Sequence, residues 1–417
     1  MNKIVLSAVS IMAIMGSIST VSAADGVNVL NNIKIKGEIR PRLESADVAN
    51  NGKDAAQSFT ARTHLAITSG LLGIDGLTST IGLQSVNNFG GTNYNSKQNG
   101  NTKYDVIADP NMAMLSEASL NYKSGKSKLH AGRSQLNLDN QRFIGTVGWR
   151  QLERSYDTVS VENNSIKGLN VLAAYLYGYA GVTGVKTKDT NSIILHAKYK
   201  VSDALNITAY DYMIASLSDT YGLALTGKID VGPKLTYRAE YAIQTDPSME
   251  YQVQNVKADA TYMNLDLGAN ISGLLVGINY ESFSGSNGTD GKTNFNPALG
   301  TNHGFNGWAD VFFVGNSGPT GGLIDANVRI GYKAKGFGKL LAVYHNFTAE
   351  TSMNAINGGT TSDLGSEIDA VYVNKIPGVK GLKGLLKIAS YSKGNVSTYN
   401  NNKKDKQVAW AQLDYRF

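Results

Sequence analysis

The sequence predicts an all-β protein, a transmembrane, antiparallel, up-and-down β-barrel of about eighteen strands, with sixteen as the alternative count. Three observations predict it. Segments of strand length alternate apolar and polar residues from residue 33 to residue 417. The connectors between them are short and long in turn. One face of several segments carries rows of Lys, Arg and Glu that the dry core of a sandwich would not hold. Hydrocarbon offers no partner to backbone N–H and C=O groups, so a sheet crosses a membrane only when it closes on itself. A propeller would repeat a blade motif every roughly 40–50 residues, and none is visible.

The chain begins "MNKIVLSAVSIMAIMGSISTVSA". Lys3, an apolar run from Ile4 to about Met15, and the small residues Val21-Ser22-Ala23 form the pattern of a secretory signal peptide. Cleavage is expected after Ala23 or Ala24, so residues 1–23 are assigned to the signal and 24–417 to a single barrel domain. Among 417 residues there is no cysteine, and 45 glycines stand against seven prolines. An exported chain without disulfides must draw its stability from hydrogen bonding and packing. The 22 tyrosines suit half-buried sheet and membrane interfaces. A formal charge of +6, from 39 basic and 33 acidic residues, is too balanced for a nucleic-acid binder. No stretch after Ala24 approaches the roughly 20 apolar residues of a spanning helix.

The first strand is the clearest. In "IKIKGEIRPRLE", Ile33, Ile35, Gly37, Ile39, Pro41 and Leu43 share one face, and Lys34, Lys36, Glu38, Arg40, Arg42 and Glu44 share the other. Strands follow at 57–69, 77–88, 113–123, 126–134, 155–162, 169–179, 191–200 and 205–215. The next are 219–229, 234–245, 256–268 and 274–284. In 234–245, Leu235, Tyr237, Ala239, Tyr241 and Ile243 oppose Arg238 and Glu240. The last are 322–334, 338–348, 364–374, 383–393 and 407–417. In 322–334, Val328 and Ile330 oppose Asp325 and Arg329. The final strand, "AWAQLDYRF", sets Phe417, Tyr415 and Leu413 on its apolar face. It is expected to close the barrel against residues 33–44.

Short connectors such as 124–126, 231–234 and 272–274 alternate with long ones at 89–112, 135–154, 180–190, 246–255, 285–321, 349–363 and 394–406. This asymmetry matches short periplasmic turns and longer extracellular loops. The 285–321 loop, rich in Asn, Gly and Ser, reads as an ordinary exposed loop. The third loop does not. "GRSQLNLDNQRFIGTVGWRQLERSYD" mixes Arg133, Asp139, Arg142, Arg150, Glu153, Arg154 and Asp157 with Phe143 and Trp149. Its place is inward, narrowing the channel at about 135–154, where charged side chains select solutes. With it, Glu38, Arg40, Arg42, Arg62, Arg238, Glu240 and Arg329 are the candidate lumen residues.

At this segment the sequence resembles the Opr-type (OprD-like) outer-membrane porins and the related alginate-export-like barrels. The matching positions are Arg133, Asp139, Arg142, Trp149, Arg150 and Asp157. The resemblance implies a passive eighteen-stranded diffusion channel, often a homotrimer, with its third extracellular loop folded into the lumen. It implies too that the C-terminal strand with Phe417, Tyr415 and Leu413 is read by the barrel-assembly machinery of a Gram-negative outer membrane. The long basic ladder of amino-acid-specific members is absent. Arg40, Arg42, Arg62, Arg238 and Arg329 form a partial one, interrupted by Glu38, Glu44, Glu240 and Asp325.

Other chemistry is weakly signalled. The five histidines are scattered, with none at i,i+4 and no metal-ligand cluster. "SGSNGTDGKTNFN" at 284–296 is rich in Ca²⁺-type ligands but lacks EF-hand spacing. No catalytic motif, phosphate loop or cofactor signature appears. The expected function is passive diffusion of ions and small hydrophilic solutes, without cofactor or catalysis, with a mild anion preference from the basic excess at 133–157. The alternatives are a channel dedicated to an acidic polysaccharide, amino acid or other small nutrient, and a non-conducting adhesin or structural barrel.

Overall fold

The computed structural model describes residues 29–90, 93–184, 188–249, 258–286, 293–312, 319–397 and 404–417. The signal peptide expected at 1–23 lies outside them, as do 287–292 of the segment weighed for Ca²⁺. Eighteen strands occur in order. They are β1 (Leu30–Val48), β2 (Ala56–Leu71), β3 (Leu77–Gly90), β4 (Met112–Ser124), β5 (Ser127–Ser134) and β6 (Ser155–Asn163). Next come β7 (Leu169–Ala180), β8 (Lys188–Lys200), β9 (Asn206–Ile214), β10 (Ser218–Asp230), β11 (Lys234–Thr245) and β12 (Ala260–Ile271). The last six are β13 (Leu274–Phe283), β14 (Leu323–Ala334), β15 (Gly338–Asn354), β16 (Thr360–Lys375), β17 (Leu382–Lys393) and β18 (Lys406–Arg416).

Each strand pairs antiparallel with its sequence neighbours, and β18 pairs with β1 to close the ring. The seam runs from Val48 opposite Lys406 to Glu38 opposite Arg416. Beyond it, Gly37 and Phe417 exchange two backbone hydrogen bonds of 2.9 and 3.1 Å. The Phe417 ring covers Gly37, where a β-carbon would collide with it. Closure leaves no open strand edge among the described residues, which satisfies the requirement that drove the fold prediction.

The two faces sort as the alternation dictates. Ile35, Ile39 and Leu43 of β1 lie on the exposed outer wall, while Arg42 between them is fully buried inside. Val328, Ile330 and Leu386 are likewise exposed and Asp325 and Glu367 buried. Such a wall is unstable in water and stable against acyl chains. At the short-turn end, Tyr199, Tyr332 and Tyr415 rest against the turn glycines Gly168, Gly273 and Gly381, all with positive φ. Glycine is required at these turns, and the rings form an interfacial girdle.

Two features differ from the sequence expectation. β15 and β16 run past the expected 348 and 364, so the connector drawn at 349–363 shrinks to 355–359. The 285–321 loop is not an ordinary exposed loop. In its described part, 293–312, Phe295, Leu299, Ala309 and Phe312 are buried, and this part folds into the lumen. Polar composition suits a water-filled interior as well as the outside, so composition alone misplaced it.

Candidate functional site: the braced lumen

The third loop, 135–154, joins β5 to β6 and crosses the lumen between two opposite walls. A loop inside a barrel has no ladder to satisfy its backbone, so side chains must do so. On the first wall, three strand arginines supply the donors. Arg40 donates to the carbonyls of Gly148 and Arg150 at 2.9 and 2.6 Å, and to Gln151 Oε1 at 3.1 Å. Arg42 donates to the Trp149 carbonyl at 2.6 Å and to Gln412 on β18. Arg62 reaches the Gln151 carbonyl at 3.2 Å and the Glu153 carboxylate at 2.9 Å. Arg150 turns back to Glu44 at 2.8 Å. Burial opposes the Arg150 charge, but Asp109 and Glu44 outweigh it and raise its pKa.

On the far wall, Phe143 enters an aromatic cluster, 5.0 Å edge-on from Tyr262 and 5.4 Å from Tyr210. Arg142 beside it is wholly buried between Phe283 and Phe305 and pairs with Glu281 at 2.8 Å. The seventh loop, between β13 and β14, locks onto this end through its described part, 293–312. Gly145 donates to the Leu299 carbonyl at 3.0 Å, and Thr301 to that of Gln141 at 2.9 Å. The second loop, 91–111, adds Asp109, which accepts from the Gln151 amide at 2.9 Å.

The third and seventh loops meet β17 and β18 at a cluster that sequence reasoning missed. Lys387 of β17 lies 4.1 Å from the Trp149 ring, 3.9 Å from Trp308 and 5.2 Å from Trp410. These are all three tryptophans of the chain. A desolvated ammonium over several ring faces is favourable by about 2 kcal/mol. Lys387 also donates to His303 Nε2 at 2.6 Å, and His303 Nδ1–H donates to Asp310 at 2.9 Å. One signal was available: Lys387 is the lone charge on the inward face of "LLKIAS", unlike its neighbours at the strand ends.

This arrangement predicts an acid-sensitive dock for the seventh loop. Burial, reinforced by Lys387 and Arg150 and opposed by Asp310, pushes the His303 imidazole down from 6.5 to about 3. Asp310 is held at about 2, its own burial being outweighed by His303. Between pH 6.5 and 3 the undocked loop binds a proton that the docked loop refuses, so docking weakens as pH falls. Below 3.8 the depressed Asp310 adds loss of the same sign. Open-channel current noise should therefore rise as pH is lowered through this interval, and His303→Gln should flatten the rise. Noise independent of pH would contradict the docked geometry.

The sequence-selected residues fall into two groups. Arg40, Arg42, Arg62, Arg142 and Arg150 are buried beneath or within the loop, as are Glu38 and Glu44. Arg154 lies against the Leu299 carbonyl and the Tyr156 hydroxyl. The second group lies away from the wall arginines, with Asp157 and Glu240 buried and Arg133, Asp139 and Arg238 largely covered by their partners. Arg133 grips Asp157 at 2.7 Å. Arg238 joins Asp139 to Glu240, the latter at 2.6 Å, with Lys198 3.7 Å from Asp139. Arg329 pairs with Asp266 at 2.6 Å. The Lys198 side chain keeps 43% of its exposure, and those of Arg329 and Asp266 about a quarter. The basic excess read at 133–157 is thus cancelled by Glu44, Asp109 and Glu281 from outside the segment.

No family model matches the chain, and no curated protein does. Solved structures do. OccK8 (OprE) of Pseudomonas aeruginosa superposes with a TM-score of 0.70 at 14% identity, over 93% of this chain and 98% of that one. OpdK of Pseudomonas aeruginosa, solved with vanillate, gives 0.70 at 12% identity over the same shares. OccK2 (OpdF) of Pseudomonas aeruginosa, solved with glucuronate, gives 0.68 at 12% identity, again over 93% and 98%. In fold, the chain is therefore a closed eighteen-stranded barrel similar to the solved OccK8, OpdK and OccK2 structures.

Proposed function

We propose that the protein is an outer-membrane porin, a water-filled path for passive diffusion of ions and small hydrophilic solutes, using no cofactor and no covalent step. The observation that carries this is the braced third loop. It narrows the lumen from one wall to the other and leaves a strip of paired charges from Arg133 and Asp157 through Asp139, Lys198 and Arg238 to Arg329 and Asp266, of which Lys198, Arg329 and Asp266 are the most exposed. Charged groups at a constriction screen solutes by size and sign. The wall arginines hold the loop rather than the solute. The candidate selectivity residues are therefore Arg133, Asp139, Glu153, Asp157, Arg238 and Arg329, with Lys198 added.

In this reading residues 1–23 are removed on export, and the assembly machinery reads Leu413, Tyr415 and Phe417 on the outward face of β18. A homotrimer is the expected assembly. A preference for organic anions is favoured by Lys198, whose charge is the least cancelled on the strip. The neighbours solved with vanillate and glucuronate, both carboxylates, point the same way.

Purified protein in planar bilayers should give discrete ohmic steps, with a reversal potential displaced toward anions in a salt gradient. A silent bilayer would sink the channel reading and favour a structural barrel. Cation selectivity would sink the anion preference alone.

A further inference from the structure

We propose that the short-turn mouth of the barrel holds a binding site for a multiply charged anionic solute, built from Lys333, Lys339, Lys375 and Lys383; this rests on the reading that solutes pass through the lumen. The four belong to four adjacent strands, β14 to β17. Lys333 shares its face with the buried Asp325, Lys339 with the buried His345, Lys375 with the buried Glu367 and Asp369, and Lys383 with Lys387. All four therefore point inward, at the end of the barrel where the turns are tight.

Their register is unusual. Lys333 lies directly opposite Lys339, and Lys375 directly opposite Lys383. Lys339 faces Val373, two residues from Lys375, which joins the two pairs into one arc. Like charges directly opposite on neighbouring strands destabilise a sheet. Two such pairs side by side would repel without a counter-charge, yet among the described residues none of the four has an ion pair. The neighbouring carboxylates are occupied. Asp414 lies opposite Lys383 but is held by Arg416 at 2.9 and 3.1 Å, and Asp266 is held by Arg329.

The arc borders a groove of about 940 Å³, to which Lys335 in the turn adds a fifth ammonium. A monovalent ion would offset one charge of the set. An anion with two or more charges would bridge both pairs, so polycarboxylates and polyphosphates are the class that fits. Because the side chains project toward the lumen, the source is a solute rather than a lipid headgroup on the outer wall.

The test uses inorganic tripolyphosphate and the barrel carrying Lys333→Gln, Lys339→Gln, Lys375→Gln and Lys383→Gln. In detergent at low salt, tripolyphosphate should raise the unfolding temperature of the wild type and leave that of the variant unmoved. Without anion, the variant should unfold at a higher temperature than the wild type, because the repulsion is gone. In bilayers, tripolyphosphate should block wild-type current from the short-turn side at lower concentration than from the loop side. Equal shifts in both proteins, or no shift in the wild type, would overturn the site. A shift produced by phosphatidylglycerol micelles but not by tripolyphosphate would overturn the solute assignment. A shift in a barrel that never conducts would leave the site standing and remove the channel reading instead.

Discussion

Replacing residues 138–152 by a short Gly-Ser linker should raise single-channel conductance several-fold and remove the solute size cut-off. The segment is the only part of the third loop that touches both walls, through Arg40, Arg42 and Arg62 on one side and Tyr210, Tyr262 and Glu281 on the other. Its removal leaves the eighteen-strand ladder intact, since no strand pairing passes through it. The wall arginines and Glu281 would then face water, where they are well solvated. The heat resistance of the barrel should fall only modestly while current and noise rise. Unchanged conductance would mean that the loop does not set the constriction.

Arg142→Ala should destabilise the protein by about 3–5 kcal/mol, the cost typical of removing one partner from a buried ion pair. Arg142 has no exposed surface, and its guanidinium lies between the rings of Phe283 and Phe305. Truncation strands Glu281, which keeps only the Tyr262 hydroxyl at 2.8 Å and the Asn306 amide at 2.6 Å. It also removes the guanidinium that the Asn306 Oδ1 accepts from, which weakens the hold of the seventh loop on that wall. Denaturant unfolding in detergent measures the loss. Pairing Arg142→Met with Glu281→Gln should recover most of it, because neither group is then a buried charge without a partner. A loss below about 1 kcal/mol, the range of exposed ion pairs, would contradict the buried geometry.

How much of this was readable from sequence depended on what each residue faces. Strands were legible because lipid imposes a strict rule on one face. Ile35, Ile39 and Leu43 must be apolar whatever the inside holds. The wet interior imposes no such rule. The 285–321 segment has the composition of a solvated loop, yet Phe295, Leu299 and Phe312, at no regular spacing, bury it in the lumen. The partial basic ladder is a second case. Arg40, Arg42 and Arg62 carry the residue type expected for anion transfer, but their partners are backbone carbonyls, which no side-chain pattern announces. β12 begins at Ala260 instead of 256 and runs on to Ile271, because "GANI" continues the ladder although its apolar signal is faint.

The pairing of β1 with β18 has a consequence for biogenesis. Its two partners are nearly as far apart along the polypeptide as this sequence allows, so their meeting carries close to the largest loop-closure entropy cost available. Until β18 arrives, β1 presents an unpaired edge that could recruit a foreign chain. Any unclosed intermediate must therefore keep the β1 edge covered until β18 pairs with it. The pairing that costs the most chain entropy is thus also the one that removes the hazard.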